Sequence, residues 1–248
     1  MPTPLPLDPR AFTTRFDAAA RASGFAPEQF GAIEGHALMA YTKGAATARA
    51  VYVSSGMHGD EPAPPWALLR LVEEGFFDAR ANWFVCPLLN PTGLAAGTRE
   101  NFERIDLNRD YLHPTTAEVR AHVAWLERQP RFDANFCLHE DYDALGFYLY
   151  ELNPDHRPTL ADATLAAAAL HCPIEMSAII DGRESAAPGI IRPVSDPLLR
   201  EQWPEAIYLR HHHTNFSYTF ETPTALPLDQ RVATQHAALR AAIDALLS

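Results

Sequence analysis

The sequence predicts an α/β fold: one domain over residues 1–248, with a mixed, mostly parallel β-sheet flanked by helices on both faces. Short apolar runs of strand type alternate with longer segments of helical period, an order that covers both faces of a sheet with helices. An early strand pair, an aromatic run near 147–152 and several long loops argue that the sheet is mixed. No repeat, low-complexity linker or shift in composition marks a boundary within the chain.

The elements follow in order. "DPRAFTTRFDAAARASG" reads as the first helix, with Phe12, Phe16 and Ala19 at helical spacing and Gly24 as its stop. "GHALMAYTKG" and "ARAVYVSSG" read as strands separated by a Gly-containing turn. "PAPPWALLRLVEEGFF" reads as a helix, since prolines are tolerated in a first turn. "NWFVCPLLN" is a short apolar run of strand type, and "TTAEVRAHVAWLERQ" a helix with a Thr cap. "RFDANFCLHED" and "LGFYLYELN" read as strands, and the Ala-rich "TLADATLAAAALHC" as a buried helix. "HTNFSYTFET" alternates, placing Phe216, Tyr218 and Phe220 on one face. "PLDQRVATQHAALRAAIDALLS" closes the chain as a helix with Val232, His236, Leu239, Ile243 and Leu246 along one stripe.

Composition narrows the class. With 47% hydrophobic and 10% aromatic residues, the chain can bury a sizeable core. A formal net charge of -11 argues against nucleic acid or an anionic membrane as the main partner, because both reward a basic surface. Cys86, Cys137 and Cys172 are scattered and odd in number, which suits reduced core thiols. The opening "MPTPLPLDPR" has neither the basic nor the apolar region of a signal peptide, and no uncharged run approaches a membrane span. A cytoplasmic location is the expectation. Nothing in the sequence indicates an oligomeric state.

Polar residues gather at strand ends. His58 and Glu61 follow the run ending near Ser54; Asn90 follows the run ending near Leu89. His139 follows Leu138, and Glu221 ends the run that begins near His213. In open α/β sheets ligands bind at the carboxyl ends of strands. His58, Glu61 and His139 together offer two imidazoles and a carboxylate, the donor set of a catalytic zinc that leaves one position open. An exposed turn with a stray histidine is the bland reading of HxxE alone. The loop "TRENFERIDLNRDY" adds arginines and asparagines: Arg109 beside Asn108 can receive a carboxylate, and Arg99 can supply positive charge where an oxyanion develops. A solvated loop of ion pairs is its bland alternative.

Taken together, these motifs resemble the zinc metallocarboxypeptidases of carboxypeptidase A/T type, especially short cytoplasmic bacterial members such as murein-peptide amidases. The pattern runs His58-Gly59-Asp60-Glu61, "NPTG" at 90–93, Arg99-Glu100-Asn101, Asp106-Leu107-Asn108-Arg109, His139 in "CLHED" and Glu221 in "YTFETPT". The resemblance implies one Zn2+ per chain, held by His58, Glu61 and His139. It implies Glu221 as general base, Arg99 as oxyanion stabiliser, and Asn108 and Arg109 as the grip on a free carboxylate. The expected substrate is a small peptide or an amino-acid derivative. The family's mobile tyrosine has no motif match here; Tyr208 and Tyr218 are the candidates.

The nearest rival is the same chemistry on N-acyl amino acids, as in the aspartoacylase and succinylglutamate desuccinylase relatives, which share HxxE and D-x-N-R. Those usually carry a further β domain after the catalytic Glu, and the single turn and helix after Glu221 favour the peptidase branch. A metal-free binding protein of the same fold is the third reading. No GxSxG, GxGxxG or P-loop supports a serine hydrolase or a nucleotide enzyme. Glu140 and Asp141 read as support for the metal histidine or as solvated loop. His211, His212 and His213 read as a loop or strand entry, and the remaining histidines as structural.

Overall fold

The computed structural model describes residues 7–45, 49–193, 196 and 199–248. The turn expected between the first two strands, and most of the segment inspected for a signal peptide, lie outside these residues. An eight-stranded sheet organises the chain. Its strands are β1 (Ala26–Ile33), β2 (His36–Lys43), β3 (Ala50–Ser54), β4 (Asn82–Cys86), β5 (Ala134–Asp141), β6 (Tyr148–Leu152), β9 (Ile190–Ile191) and β10 (Ser217–Pro223), with a separate small hairpin of β7 (Ile179–Ile180) and β8 (Arg183–Glu184). Strand order is β1-β2-β4-β3-β5-β10-β6-β9. The middle four, β4-β3-β5-β10, are mutually parallel; β1–β2, β2–β4 and β10–β6 pair antiparallel, and β6–β9 parallel. The sheet is therefore mixed around a parallel centre, as the sequence predicts.

β3, "AVYVS", shows why the centre is parallel: all its residues are buried, which suits a strand covered on both faces. Val51 and Val53 turn to one face and Tyr52 to the other. Four helices, α1 (Pro9–Ala22), α2 (Ala63–Glu73), α5 (Ala161–Ala168) and α7 (Leu228–Leu247), cover the first face. α4 (Ala117–Leu126) and α6 (Glu205–His212) cover the second. α1 starts where expected because the Asp8 side chain accepts the Arg10 and Ala11 N–H groups, and Gly24 follows its end at φ +84. Thr116 caps α4 by accepting from the Val119 N–H. β3 has β4 on one side and β5 on the other, so the chain leaves β3 in one direction and later returns in the opposite one. A crevice forms at such a switch point, beyond the strands' carboxyl ends.

Several elements differ from the sequence expectation. β1 was not anticipated: Pro27 and Gly31 weaken its strand signal, and its turn uses Glu34 (φ 47) and Gly35 (φ 74), a pair with less obvious hairpin chemistry than Asn-Gly. The short α3 (Pro91–Ala96) and α6 were also missed. His211 and His212 end α6, so these two are helical and form neither a loop nor a strand entry, while His213 caps the helix and opens the turn that leads to β10. α5 is only partly buried, packing on α7 with Leu170 left 80% exposed just beyond it. On α7 Leu239, Ile243 and Leu246 are buried as expected, but in the first turns Arg231 and Gln235 face inward while Val232 and His236 are only partly covered.

Candidate metal centre and its cleft

β3 delivers the chain into a tight loop that is laced to the exit of β4. Ser55 N–H donates to the Cys86 carbonyl, and Asn90 N–H to that of Gly56. The loop also packs backbone to backbone against α3: a Cβ on Gly59 would lie 1.9 Å from the Gly93 carbonyl carbon. This loop carries His58 and Glu61. His139 lies within β5, which ends at Asp141 like the run "RFDANFCLHED". All three side chains are buried.

Both imidazoles turn Nδ1 to the Glu61 carboxylate, His58 at 2.5 Å from Oε1 and His139 at 2.9 Å from Oε2. One nitrogen or oxygen from each residue falls within 4.8 Å of the others, the one such metal-competent group among the described residues. His58 Nε2 sits 3.2 Å from Asp106 Oδ1, which also accepts the Asn108 N–H. Asp106 Oδ2 receives Arg99 through Nε at 3.0 Å, and Arg99 Nη1 reaches 3.8 Å from Glu61. Asp106 thus orients the whole loop. Asn108 Oδ1 accepts the Glu205 N–H at the start of α6. Arg109 is exposed, and its Nη1 donates to the Asn108 carbonyl.

These groups line a cleft of about 500 Å³ together with Glu221, Tyr148, Tyr150, Arg183 and Arg200. Glu221 lies opposite His139 on one side and Tyr148 on the other. Burial pushes the Glu221 carboxyl well above the usual carboxylate range, and the charges of Glu61, Asp141 and Asp181 push the same way, against Arg99. Burial opposes ionisation of Glu61 too, but the two flanking imidazoles hold it far below that range. Burial also opposes charge on Asp106, yet His58 and Arg99 hold it low. Two carboxyls in one cleft are therefore driven apart, one kept ionised and one made more basic, which is the pattern of sites that move protons. At Arg200, also in the cleft lining, burial and the neighbouring Arg183, Arg210 and Arg109 charges lower the pKa.

The structure gathers every expected site residue: His58, Glu61, Arg99, Asn108, Arg109, His139 and Glu221 all line the cleft. Asn90 does not. Its Oδ1 caps α3 at the Gly93 N–H and its amide donates to the Arg99 carbonyl, so it supports the arginine loop from behind. Neither candidate tyrosine lines the cleft: Tyr208, on α6, is packed in the core, and the Tyr218 hydroxyl donates to Glu151 on the other face of the sheet. The tyrosines present are Tyr148 and Tyr150, bonded to Asp141 and Asp181 respectively. Alternation along "YLYEL" puts those two on one face. Nothing local marks Arg183 and Arg200, which come from the long segment after α5.

Comparison with known proteins places this geometry. A search of curated proteins returned no match. A solved structure of a candidate metallopeptidase from Shewanella amazonensis is similar, with 26% identity, 96% of this chain and 92% of that one covered, and a TM-score of 0.85. Another, from Shewanella denitrificans, gives 25% identity, 95% and 89% coverage and a TM-score of 0.83. A metallo-carboxypeptidase from Burkholderia cenocepacia shares the fold at 18% identity, covering 97% of this chain and 70% of that one with a TM-score of 0.70. The fold is thus carboxypeptidase-like. The family whose pattern matches, over residues 47–243, is described as the succinylglutamate desuccinylase/aspartoacylase catalytic domain. That span begins just before β3, ends within α7 and takes in all the cleft residues named above. What the motifs left as the nearest rival is the family that matches: the chain belongs to the succinylglutamate desuccinylase/aspartoacylase catalytic-domain family.

Proposed function

We propose that this chain is a zinc-dependent hydrolase that cleaves the amide bond of small N-acyl or peptidyl amino acids carrying a free carboxylate. The observation that carries the reading is the convergence of His58, Glu61 and His139 beside Glu221, under a wall that holds Arg109, Arg183 and Arg200. The donor set fits zinc: two imidazole nitrogens and a carboxylate, buried, without a competing thiolate among them. Zinc, when bound, supplies the Lewis acidity that activates water and polarises an amide carbonyl at neutral pH.

The chain's own residues do the rest. Asp106 takes the His58 Nε2–H, which leaves the Nδ1 lone pair for the metal. Glu221 accepts the proton of the attacking water and returns it to the leaving amine; its raised basicity favours the first transfer. Arg99, fixed by Asp106, faces the developing oxyanion. With its Oδ1 held by the Glu205 N–H, Asn108 turns its NH2 to the cleft, and with Arg109 it takes the substrate carboxylate.

The family match favours a deacylase of N-acyl amino acids, and the likeness to the Shewanella candidate metallopeptidases supports a peptidase; both break an amide bond. The net charge of -11 supports a small-molecule substrate over nucleic acid or anionic membrane. A cytoplasmic setting goes with the three free cysteines. The test is a panel of N-acyl amino acids and peptides with free or amidated C-termini, run with metal analysis. One zinc per chain, lost in His139→Ala, and turnover confined to free carboxylates are expected. No divalent metal after zinc reconstitution, or equal cleavage of amidated peptides, would refute the reading.

A further inference from the structure

Two segments 78 residues apart bring the metal-competent side chains together, Glu61 from a loop and His139 from a strand. Glu140 joins them from behind. It follows His139 on β5, and successive strand residues point to opposite faces, so its carboxylate turns away from the cleft towards α2 and α7. Oε2 accepts the Ala63 N–H at 2.9 Å, and Oε1 accepts Arg231 Nη1 of α7 at 2.8 Å. Its side chain is 0% exposed and that of Arg231 6%.

The Ala63 N–H is a special donor. Ala63 opens α2 two residues after Glu61, and Pro62, its N-cap, offers no side-chain bond. Pro64 and Pro65 follow it and have no N–H to cap. A carboxylate at this helix start also meets the positive end of the helix dipole. One turn further along α7, Gln235 Nε2 donates to the His139 carbonyl and to Thr222 Oγ1, both at 2.7 Å. α7 therefore grips the ends of β5 and β10 at the residues beside His139 and Glu221.

Buried ion pairs of this kind are poor stabilisers, because desolvating both charges offsets their attraction, and an apolar pair of similar volume is often as stable. Here the Arg231 Nε and the Gln235 Oε1 are buried without a hydrogen-bond partner among the described residues, which adds to the cost. What the arrangement secures is geometry.

We propose that Glu140, with Arg231, is a positioning residue that sets the separation of Glu61 and His139 and so the affinity of the centre for metal. The proposal rests on the zinc reading above. Replacing both charges together, Glu140→Leu with Arg231→Met, avoids stranding one of them. The double variant should melt within a few degrees of the wild type but bind zinc roughly 10- to 100-fold more weakly in competition with a chelator. Reconstituted with excess zinc, it should show a lower kcat with little change in KM. Glu140→Gln keeps an acceptor for Ala63 but strands the buried Arg231 charge, so it should melt lower than the wild type and, at a temperature where it is still fully folded, bind zinc roughly threefold to tenfold more weakly; it carries the test if the double variant does not fold. Wild-type zinc affinity in the variants, or a loss of affinity that only tracks a loss of fold, would overturn the positioning role. A wild-type chain that binds no zinc would overturn the metal reading and this one with it.

Discussion

Glu221 of β10 lies beside His139 of β5 in parallel register, with Tyr148 of β6 across from it. Any group bound through His139 is therefore next to the Glu221 carboxyl, while no hydrogen bond within the described residues ties that carboxyl down. Glu221→Gln preserves shape but cannot accept a proton. It should fold, keep its zinc and lose roughly 10²–10⁴ in kcat. Loss of zinc would instead make Glu221 a ligand, and near-full activity would pass the proton to another acid. Glu151 is a poor substitute, since it is bonded to Tyr218, Thr159 and Arg192 on the opposite face.

Arg109 is exposed at the cleft, and its one side-chain hydrogen bond among the described residues is to its neighbour's carbonyl. Its guanidinium can meet a carboxylate in the ground state as well as in the transition state. Arg109→Ala should chiefly raise KM. Steady-state kinetics on an N-acyl amino acid would check this; a fall in kcat at constant KM would move Arg109 out of substrate binding.

Gly59 leaves no room for a Cβ against Gly93, and Gly93 itself would place one 2.7 Å from the Glu100 carbonyl oxygen. Gly59→Ala must push the loop that bears His58 and Glu61 off α3. A destabilisation of at least about 1–3 kcal/mol is expected from the overpacking, with loss of zinc binding. Gly75, left-handed at φ 68 but with open space around it, makes the control. Gly75→Ala should cost only about 1–2 kcal/mol and leave zinc affinity unchanged.

His122 of α4 is buried between two hydroxyls. Tyr52 O–H donates to Glu205, so Tyr52 accepts from His122 Nε2–H, and Nδ1 in turn accepts from Tyr111 O–H. That chain requires a neutral ring, and burial lowers its pKa to about 3. The unfolded chain takes up the proton near pH 6.5 and the folded one does not. Stability is thus fully present above about pH 6.5 and is lost as pH falls from there towards 3. Denaturant unfolding of the wild type and His122→Gln between pH 7 and 4 should show a shallower pH dependence in the variant; parallel curves would refute this.

Much of the site was legible because its residues sit in short motifs. HxxE, the Asp106–Arg109 run, His139 and Glu221 each carry chemistry within a few residues, and HxxE, His139 and Glu221 follow or end recognisable apolar runs. The same motifs serve peptidases and deacylases, so they could not select the family, which the match over residues 47–243 shows. What lay outside motifs was not legible. Tyr148 and Tyr150 were passed over for Tyr208 and Tyr218 because a tyrosine's spelling is the same in a cleft and in a core.

By itself the sequence determined the alternation of strands and helices, the parallel centre of the sheet and the residue types that meet at its edge. These follow from local periodicity and from the chemistry of single side chains. Only the tertiary structure decided which faces those side chains take. The order β4-β3-β5-β10 puts the HxxE loop next to His139 and Glu221, and the packing of α7 turns Arg231 and Gln235 inward alongside Leu239, Ile243 and Leu246. The physical reason is that pairing and packing join residues far apart in the chain. Whether Asp106 meets His58, or Glu140 meets Ala63, depends on the relative placement of whole elements, which no single segment encodes.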